Sequence, residues 1–246
     1  MDPFPEPKHP LSYLAYRAGR LDIGTLPLGG GFPVRIQSMT NTSTADTEAT
    51  LAQCIALAEA GCELIRVATP SLSDARSLGR LHKAFRSAGF GQPLVADIHF
   101  LPEAALIAAT AVEKVRINPG NYLPADADNM DDDILAERAI ARLKPLVHAC
   151  DDHGTAIRVG VNHGSLSRRI LDRYGNTPRG MVASALEYIT WFRELGFHRL
   201  VLSMKASKAP ATVHATRLLA ACLREQGWHY PLHLGVTEAG SDLEAL

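Results

Sequence analysis

Five times along the chain, a segment with helix-like apolar spacing ends in glycine, and an apolar run follows within a few residues. The stretches are AEAGCELIRVAT, RSAGFGQPLVADI, DDHGTAIRVGV, RELGFHRLVLSMK and REQGWHYPLHLGV, with the glycines at positions 61, 89, 154, 196 and 227. Glycine just past a helix takes the left-handed conformation that other residues resist. Helix starts are marked too: Asp46 before the first helix, Ser71 with Asp74 in a capping-box pattern, and Pro102, Pro178 and Pro210 near first turns. The pattern predicts seven strands, at Val34–Met39, Glu63–Thr69, Pro93–Ile98, Lys114–Asn118, Ala156–Asn162, Arg199–Lys205 and Leu232–Glu238.

Strands rich in Val, Ile and Leu and separated by helices imply an α/β fold, a parallel sheet covered by helices. Right-handed crossovers leave two architectures, an open doubly wound sheet or a barrel. Polar residues end all seven runs, whereas an open sheet gathers its ligand groups at one switch point. The helix over Thr47–Ala60 carries one apolar stripe, as an outer ring requires. Both favour the barrel. Eight strands close a TIM (β/α)8-type barrel, so seven predict one truncated after its seventh strand. Residues 1–32 read as a lead-in with a short hairpin, and residues 33–246 as the barrel.

Composition narrows the function classes. With 246 residues, 46% hydrophobic content and a net charge of −1, the chain can bury a large core and has no overall basic bias towards nucleic acid. Any anion site must be local. Cys54, Cys62, Cys150 and Cys222 are scattered without a CxxC pair, which predicts reduced thiols rather than disulfides or a metal site in this chain. No signal-like start and no membrane-length apolar run is present, so a cytoplasmic location is expected.

The candidate chemistry lies in a repeated kernel, an arginine between β-branched residues: Ile65-Arg66-Val67, Val115-Arg116-Ile117 and Ile157-Arg158-Val159. A cation inside an apolar strand is costly unless something neutralises it. One such arginine is readily an ion pair; three at corresponding places, with Lys205, point to an anionic ligand. Residues two apart on a strand share a face. That groups Asp97 with His99, Arg116 with Asn118, Ser203 with Lys205 and Val236 with Glu238; Asn162 falls on the face of Arg158. If these faces point inward, the mouth holds Arg66, Arg116, Arg158 and Lys205 around Asp97, His99, Asn118, Asn162 and Glu238. Four cations against two carboxylates suit a phosphorylated or diphosphorylated small molecule.

Other features have plainer explanations. His99 has a second reading as a satisfied core histidine. Arg35, at a strand start, is expected to be structural, and turn chemistry accounts for His163. The acidic run Asp126–Asp133 lacks the spacing of a calcium loop and reads as a solvated, mobile loop over the mouth. Gly29-Gly30-Gly31 is a turn, since no GK[ST] follows it.

Several long motifs carry a resemblance. QSMTNT at 37–42, VADIHF at 95–100, VRINPGN at 115–121, RVGVNHGSLS at 158–167 and GVTEAG at 235–240 resemble 4-hydroxy-3-methylbut-2-enyl diphosphate synthases. DRYGNTP at 172–178 is similar to the large form of plants and some bacteria. The resemblance implies an oxidoreductase of the methylerythritol phosphate route to isoprenoids. Such an enzyme reductively opens and dehydrates 2-C-methyl-D-erythritol 2,4-cyclodiphosphate, with electrons from ferredoxin or flavodoxin. It also implies a substrate-binding barrel, a separate domain whose 4Fe–4S cluster is held by three Cys and one Glu, and a homodimer in which barrel and cluster domain meet. Arg66, Arg116, Arg158 and Lys205 match the family's diphosphate-binding residues, and Asn118, Asn162, Asp97, His99 and Glu238 its other mouth residues. Glu238 would suit a proton-handling role. The cluster ligands have no counterpart in this chain, so it is expected to bind substrate and to be inactive alone. The competing readings are a barrel like dihydropteroate synthase and a non-catalytic diphosphate-binding module.

Overall fold

Six parallel strands lie side by side in the order in which the chain makes them. The structure, a computed structural model, describes Phe4 and residues 15–237. A two-stranded antiparallel hairpin, β1 (Leu21–Ile23) and β2 (Leu26–Leu28), comes first. The sheet follows as β3 (Gln37–Met39), β4 (Leu64–Ala68), β5 (Leu94–Asp97), β6 (Lys114–Ile117), β7 (Ala156–Asn162) and β8 (Leu200–Lys205). Between and after these strands run α1 (Thr47–Glu59), α2 (Leu72–Ser87), α3 (Pro102–Ala109), the single turn α4 (Pro119–Tyr122), α5 (Asp132–His153), α6 (Arg168–Tyr174), α7 (Pro178–Glu194) and α8 (Ala209–Glu225). The result is a curled parallel sheet with helices outside, a TIM-type barrel left open on one side.

The helix signals act as the sequence predicts. The Asp46 carboxylate accepts from the Ala49 amide, and Ser71 and Asp74 close a reciprocal capping box. Gly154 ends α5 at φ 68°, a conformation in which a β-carbon would be strained. On α1 the buried positions Thr50, Cys54 and Ala58 recur every four residues. The outward faces of the strands, among them Ile65, Val67, Val115, Ile117, Ile157, Val159 and Leu202, share one buried core with Leu78, Phe85, Leu143 and Phe192 of the helices.

Inside the barrel the chemistry changes with depth. At the N-terminal end Leu64, Val95, Ala156 and Val201 pack around Ile23 of the hairpin, which is fully buried, with Leu21, Leu26 and Leu28 beside it. The hairpin therefore plugs the bottom of the barrel. Arg35 secures it by donating from Nε to the Pro27 carbonyl at 3.1 Å and from Nη1 to Glu63 at 2.8 Å. That is the structural role expected of Arg35.

Both edges of the sheet fall short of the expected strands. The first shrinks to Gln37–Met39, and Val34 and Ile36 before it are exposed. The seventh, expected at Leu232–Glu238, is a single parallel bridge between Leu202 and Leu232, in which the His233 amide donates to the Leu202 carbonyl at 2.8 Å. A ladder needs partners, and among the described residues each of these segments has a neighbouring strand on one side only. The acidic run is also more regular than the mobile loop expected: Ala125–Asn129 form a 3-10 turn and α5 starts at Asp132. Asp126 pairs with Arg138, and Asp132 with Arg173. No helix among the described residues is long and apolar enough to cross a membrane.

Candidate functional site

Strand alternation turns Arg66, Asp97, Arg116 and Arg158 into the barrel, and Asp97 is their hub. Arg66 Nη2 donates to Asp97 Oδ2 at 2.6 Å, and His99 Nε2 lies 2.8 Å from the same oxygen. Arg116 Nη1 reaches Asp97 Oδ1 at 3.4 Å, and Arg158 Nη2 stands 3.9 Å from it. Asp97, Arg116 and Arg158 are each only 1% exposed. Behind this ring, Arg116 Nη2 donates to the Gly160 carbonyl at 2.9 Å, and Arg158 Nη1 donates to Ser203 Oγ at 2.7 Å.

These bonds do not satisfy the guanidinium groups. Arg66 Nε, Arg116 Nε, Arg158 Nε and Arg158 Nη2 are buried without a hydrogen-bond partner. A buried charged donor without an acceptor is costly, and these four are concentrated in one place. Lys205 on β8 and Lys114 on β6 bring the cations to five, against the single carboxylate of Asp97 among the described residues of the cluster. The excess positive charge and the unpaired donors both call for an oxyanion.

The ionisation of each group reflects this excess. Burial alone would raise the Asp97 pKa, but the His99 hydrogen bond and the charges of Arg66 and Arg116 outweigh it and hold the acid well below the usual carboxylate range. Burial, then Arg158 and Arg66, then Arg116, lowers Lys205 to about 8. Burial, then Arg158 and Arg66, lowers Lys114 to about 7. Arg158 is pulled well down by burial and by its arginine neighbours. His233, facing the same cations, is pushed far below its ordinary value by burial and then by Arg158, Lys205, Lys114 and Arg66, which keeps it neutral.

The structure thus brings Arg66, Arg116, Arg158, Asp97 and His99 together, with Lys205 beside them. Asn162 stands opposite Lys205 in the β7–β8 register at the mouth. Asn118 is committed elsewhere. Its Nδ2 donates to Ser165 Oγ at 2.9 Å and its Oδ1 accepts from the Gly120 amide at 3.2 Å, so it ties the loop after β6 to the loop after β7. His163 bonds the Asn176 carbonyl through Nε2 at 3.0 Å, consistent with a turn role. Glu238 lies outside the described residues. In the segment before it, His233 and Gly235 face the cations, a β-carbon on Gly235 standing 3.4 Å from Lys205 Nζ.

Sequence reasoning missed three residues. Lys114 shares the face of Arg116 two residues later, so the alternation that found Arg116 and Asn118 also points to it. His233 is the only imidazole among residues 231–237, and a reading that grouped Val236 with Glu238 passed over it. Gly160 stands inward between Arg158 and Asn162, where a β-carbon would meet Arg116 Nε at 2.5 Å and Arg158 Nη1 at 3.0 Å. A cleft of about 1780 Å³ opens beside the cluster, between β3 and residues 231–235, with Arg66, Lys114, Lys205 and His233 on its wall.

The thiols do not fit an iron–sulfur cluster. All four are free and buried, and burial pushes Cys54 and Cys222 up to about 11 and Cys150 to about 12. Cluster ligands are thiolates gathered around one point. No group of three His, Cys, Asp or Glu among the described residues is placed to hold a metal ion.

The model of the GcpE TIM-barrel domain family matches residues 18–246. The chain belongs to this family. A relative from Parabacteroides distasonis, named 4-hydroxy-3-methylbut-2-en-1-yl diphosphate synthase (flavodoxin), is 48% identical over 236 residues, covering 93% of this chain and 39% of the relative. A protein of the same name from Akkermansia muciniphila is 47% identical over 229 residues, covering 89% of this chain and 39% of the relative. The GcpE barrel described here therefore spans about two fifths of the length of these relatives (39%). Among solved structures, an N-acetylneuraminic acid (sialic acid) synthetase from Leptospira borgpetersenii serovar Hardjo-bovis superposes with a TM-score of 0.57 at 14% identity, over 92% of this chain and 72% of that one. That likeness shows a shared barrel fold.

Proposed function

We propose that this chain is the substrate-binding barrel of an enzyme that reductively opens and dehydrates 2-C-methyl-D-erythritol 2,4-cyclodiphosphate to (E)-4-hydroxy-3-methylbut-2-enyl diphosphate. The observation that carries the reading is the set of four buried, unpartnered guanidinium nitrogens on Arg66, Arg116 and Arg158. The cyclic diphosphate offers two negative charges and several non-ester oxygens within a small ring, which suits convergent N–H donors fixed on rigid strands. The names of the relatives support the choice of diphosphate.

In this reading Arg66, Arg116, Arg158 and Lys205 hold the phosphoryl oxygens. Asn118 braces the loop above them, and Asn162 stands at the mouth. Asp97, ionised at every physiological pH, accepts hydrogen bonds from Arg66 and from the His99 ring and keeps both aimed at the ligand. His99, more exposed than the rest, is the group best placed to exchange a proton with bound substrate. Glu238 is assigned a second proton-handling role. The 4Fe–4S cluster that would deliver two electrons is assigned to protein outside these residues, because the thiols present do not fit it. Flavodoxin is the expected donor, with ferredoxin as the other candidate, and a homodimer is the expected assembly. The barrel alone should bind and not turn over.

Calorimetric titration of the folded chain with the cyclic diphosphate tests this. Arg158→Met should weaken binding by roughly 1.5–3 kcal/mol, the worth of charge-assisted hydrogen bonds. A folded protein that gives no heat, or one that prefers a pterin diphosphate, contradicts the reading.

A further inference from the structure

Beneath the arginine ring lies a buried cation without a carboxylate of its own among the described residues. Lys114 shares a face of β6 with Arg116, one layer deeper. In the register of the sheet it lies in a row with Arg66, Val95 and Ala156, whereas Arg116 lies in the next row with Asp97 and Arg158. Its side chain is 1% exposed, and its ammonium donates to Gln37 Oε1 on β3 at 3.3 Å. No carboxylate among the described residues lies within ion-pair distance of it. Asp97 on β5, the buried acid of the cluster, is already shared by Arg66, Arg116, Arg158 and His99.

The groups around Lys114 are otherwise cationic or neutral: Gln37 on β3, Arg66 on β4, Arg116 on its own strand, Arg158 on β7, Lys205 on β8 and the neutral His233 on the segment beyond. An ammonium with one amide contact among like charges favours losing its proton. A dianion seated one layer above offsets most of that positive field and makes the ammonium form easier to hold.

We propose that Lys114 is a proton-loaded floor of the anion site: a neutral amine in the empty barrel that takes one proton from solvent as the diphosphate seats on the arginine ring. The proposal rests on the diphosphate reading above. The lowering of the Lys114 pKa to about 7 agrees with it. Charge balances simply, since one dianion and one proton enter together and one N–H bond forms. Binding should therefore weaken as pH rises above 7, even though the ligand's phosphoryl hydroxyls, one strongly acidic group on each phosphorus, do not titrate there.

The test is calorimetric titration of this chain with 2-C-methyl-D-erythritol 2,4-cyclodiphosphate at pH 7.5, in buffers of different ionisation enthalpy. The slope of heat against ionisation enthalpy counts protons. Roughly one should be taken up per ligand, falling towards zero at pH 6, where Lys114 is already charged. Lys114→Met should remove more than half of the uptake, and Lys114→Gln should do the same if methionine disturbs packing. Lys205→Met should bind more weakly yet keep most of the uptake. A ligand-free arm stands apart from the diphosphate reading: the urea midpoint of Lys114→Met should exceed that of the wild type at pH 6, and the gap should narrow by pH 10. Ligand binding without proton uptake, or uptake unchanged in both Lys114 variants, overturns the inference and leaves the diphosphate site standing. No binding at any pH overturns both. Urea midpoints that do not differ at pH 6 count against a charge-strained Lys114 whatever the ligand does.

Discussion

Arg116 and Gly160 are in intimate contact. The guanidinium donates through Nη2 to the Gly160 carbonyl at 2.9 Å, and any β-carbon at 160 would stand 2.5 Å from its Nε. The neighbours are strand-borne arginines held in a packed barrel, so the collision cannot be relieved at the end of a free side chain. Gly160→Ala should cost about 1–3 kcal/mol of stability through overpacking. It should also weaken cyclic diphosphate binding at least tenfold, because Arg116 and Arg158 are both displaced. Urea unfolding and titration calorimetry measure the two effects, and an alanine variant that binds normally would show that the ring is not held as described.

Asp97 should behave as a counterion. Asp97→Asn leaves the buried arginines without their carboxylate, so it should destabilise the empty barrel by about 3–5 kcal/mol. The Asp97 pKa is lowered by folding. Its contribution is therefore complete above the unfolded value near 4 and declines progressively as pH falls towards the much lower folded value, so the gap between wild type and variant should narrow at pH 3. Added pyrophosphate should stabilise the variant more than the wild type. Urea midpoints at pH 7 and pH 3, with and without pyrophosphate, provide the check. A variant as stable as wild type at pH 7 would remove Asp97 from this role.

The hairpin plug makes a separate prediction. Ile23 is fully buried against Leu64, Val95, Ala156 and Val201 at the closed end of the barrel. Ile23→Ala should cost about 2–4 kcal/mol, transfer and cavity terms together. Once folded, the variant should bind the ligand within a few-fold of wild type, since the side-chain hydrogen bonds that reach the hairpin backbone come from Arg35 and Arg199 rather than from Arg66, Arg116 or Arg158. A large loss of affinity in a folded variant would mean that the bottom layer helps to position the ring.

The cysteines should be inert until the barrel opens. All four are buried, and burial raises Cys54, Cys150 and Cys222 to about 11 or 12. Because the thiolate is the reactive form, labelling by an aromatic disulfide reagent should be slow in buffer and should follow the unfolding curve in urea. Rapid stoichiometric labelling of the native chain would contradict the packing described.

Much of this was legible in the sequence, and the exceptions have physical reasons. Helix ends were readable because capping is local: Asp46, Ser71 with Asp74, and Gly154 act on residues within one turn. The arginines were readable because a charge between β-branched residues conflicts with burial unless function demands it. Lys114 escaped because it opens its strand, where a lysine usually reaches solvent, and only the β5–β6–β7 register shows that this position lies inside. Gly160 escaped because its role lies in the space it leaves to Arg116 and Arg158, which one strand's pattern does not contain. The seventh strand was overcalled because apolar alternation in Leu232–Val236 imitates a strand pattern, whereas a ladder depends on neighbours, and Leu234 is exposed. The commitment of Asn118 was not legible, because its amide is taken up by Ser165, a partner 47 residues away.

The central claim is that the unpaired nitrogens of the arginine ring are the diphosphate site. A crystal structure of the chain with the cyclic diphosphate tests it most directly. The account predicts phosphoryl oxygens within hydrogen-bond distance of Arg66 Nε, Arg116 Nε and Arg158 Nη2, with the Arg66–Asp97 pair intact. A ligand bound elsewhere, with those nitrogens still unpaired, would contradict it.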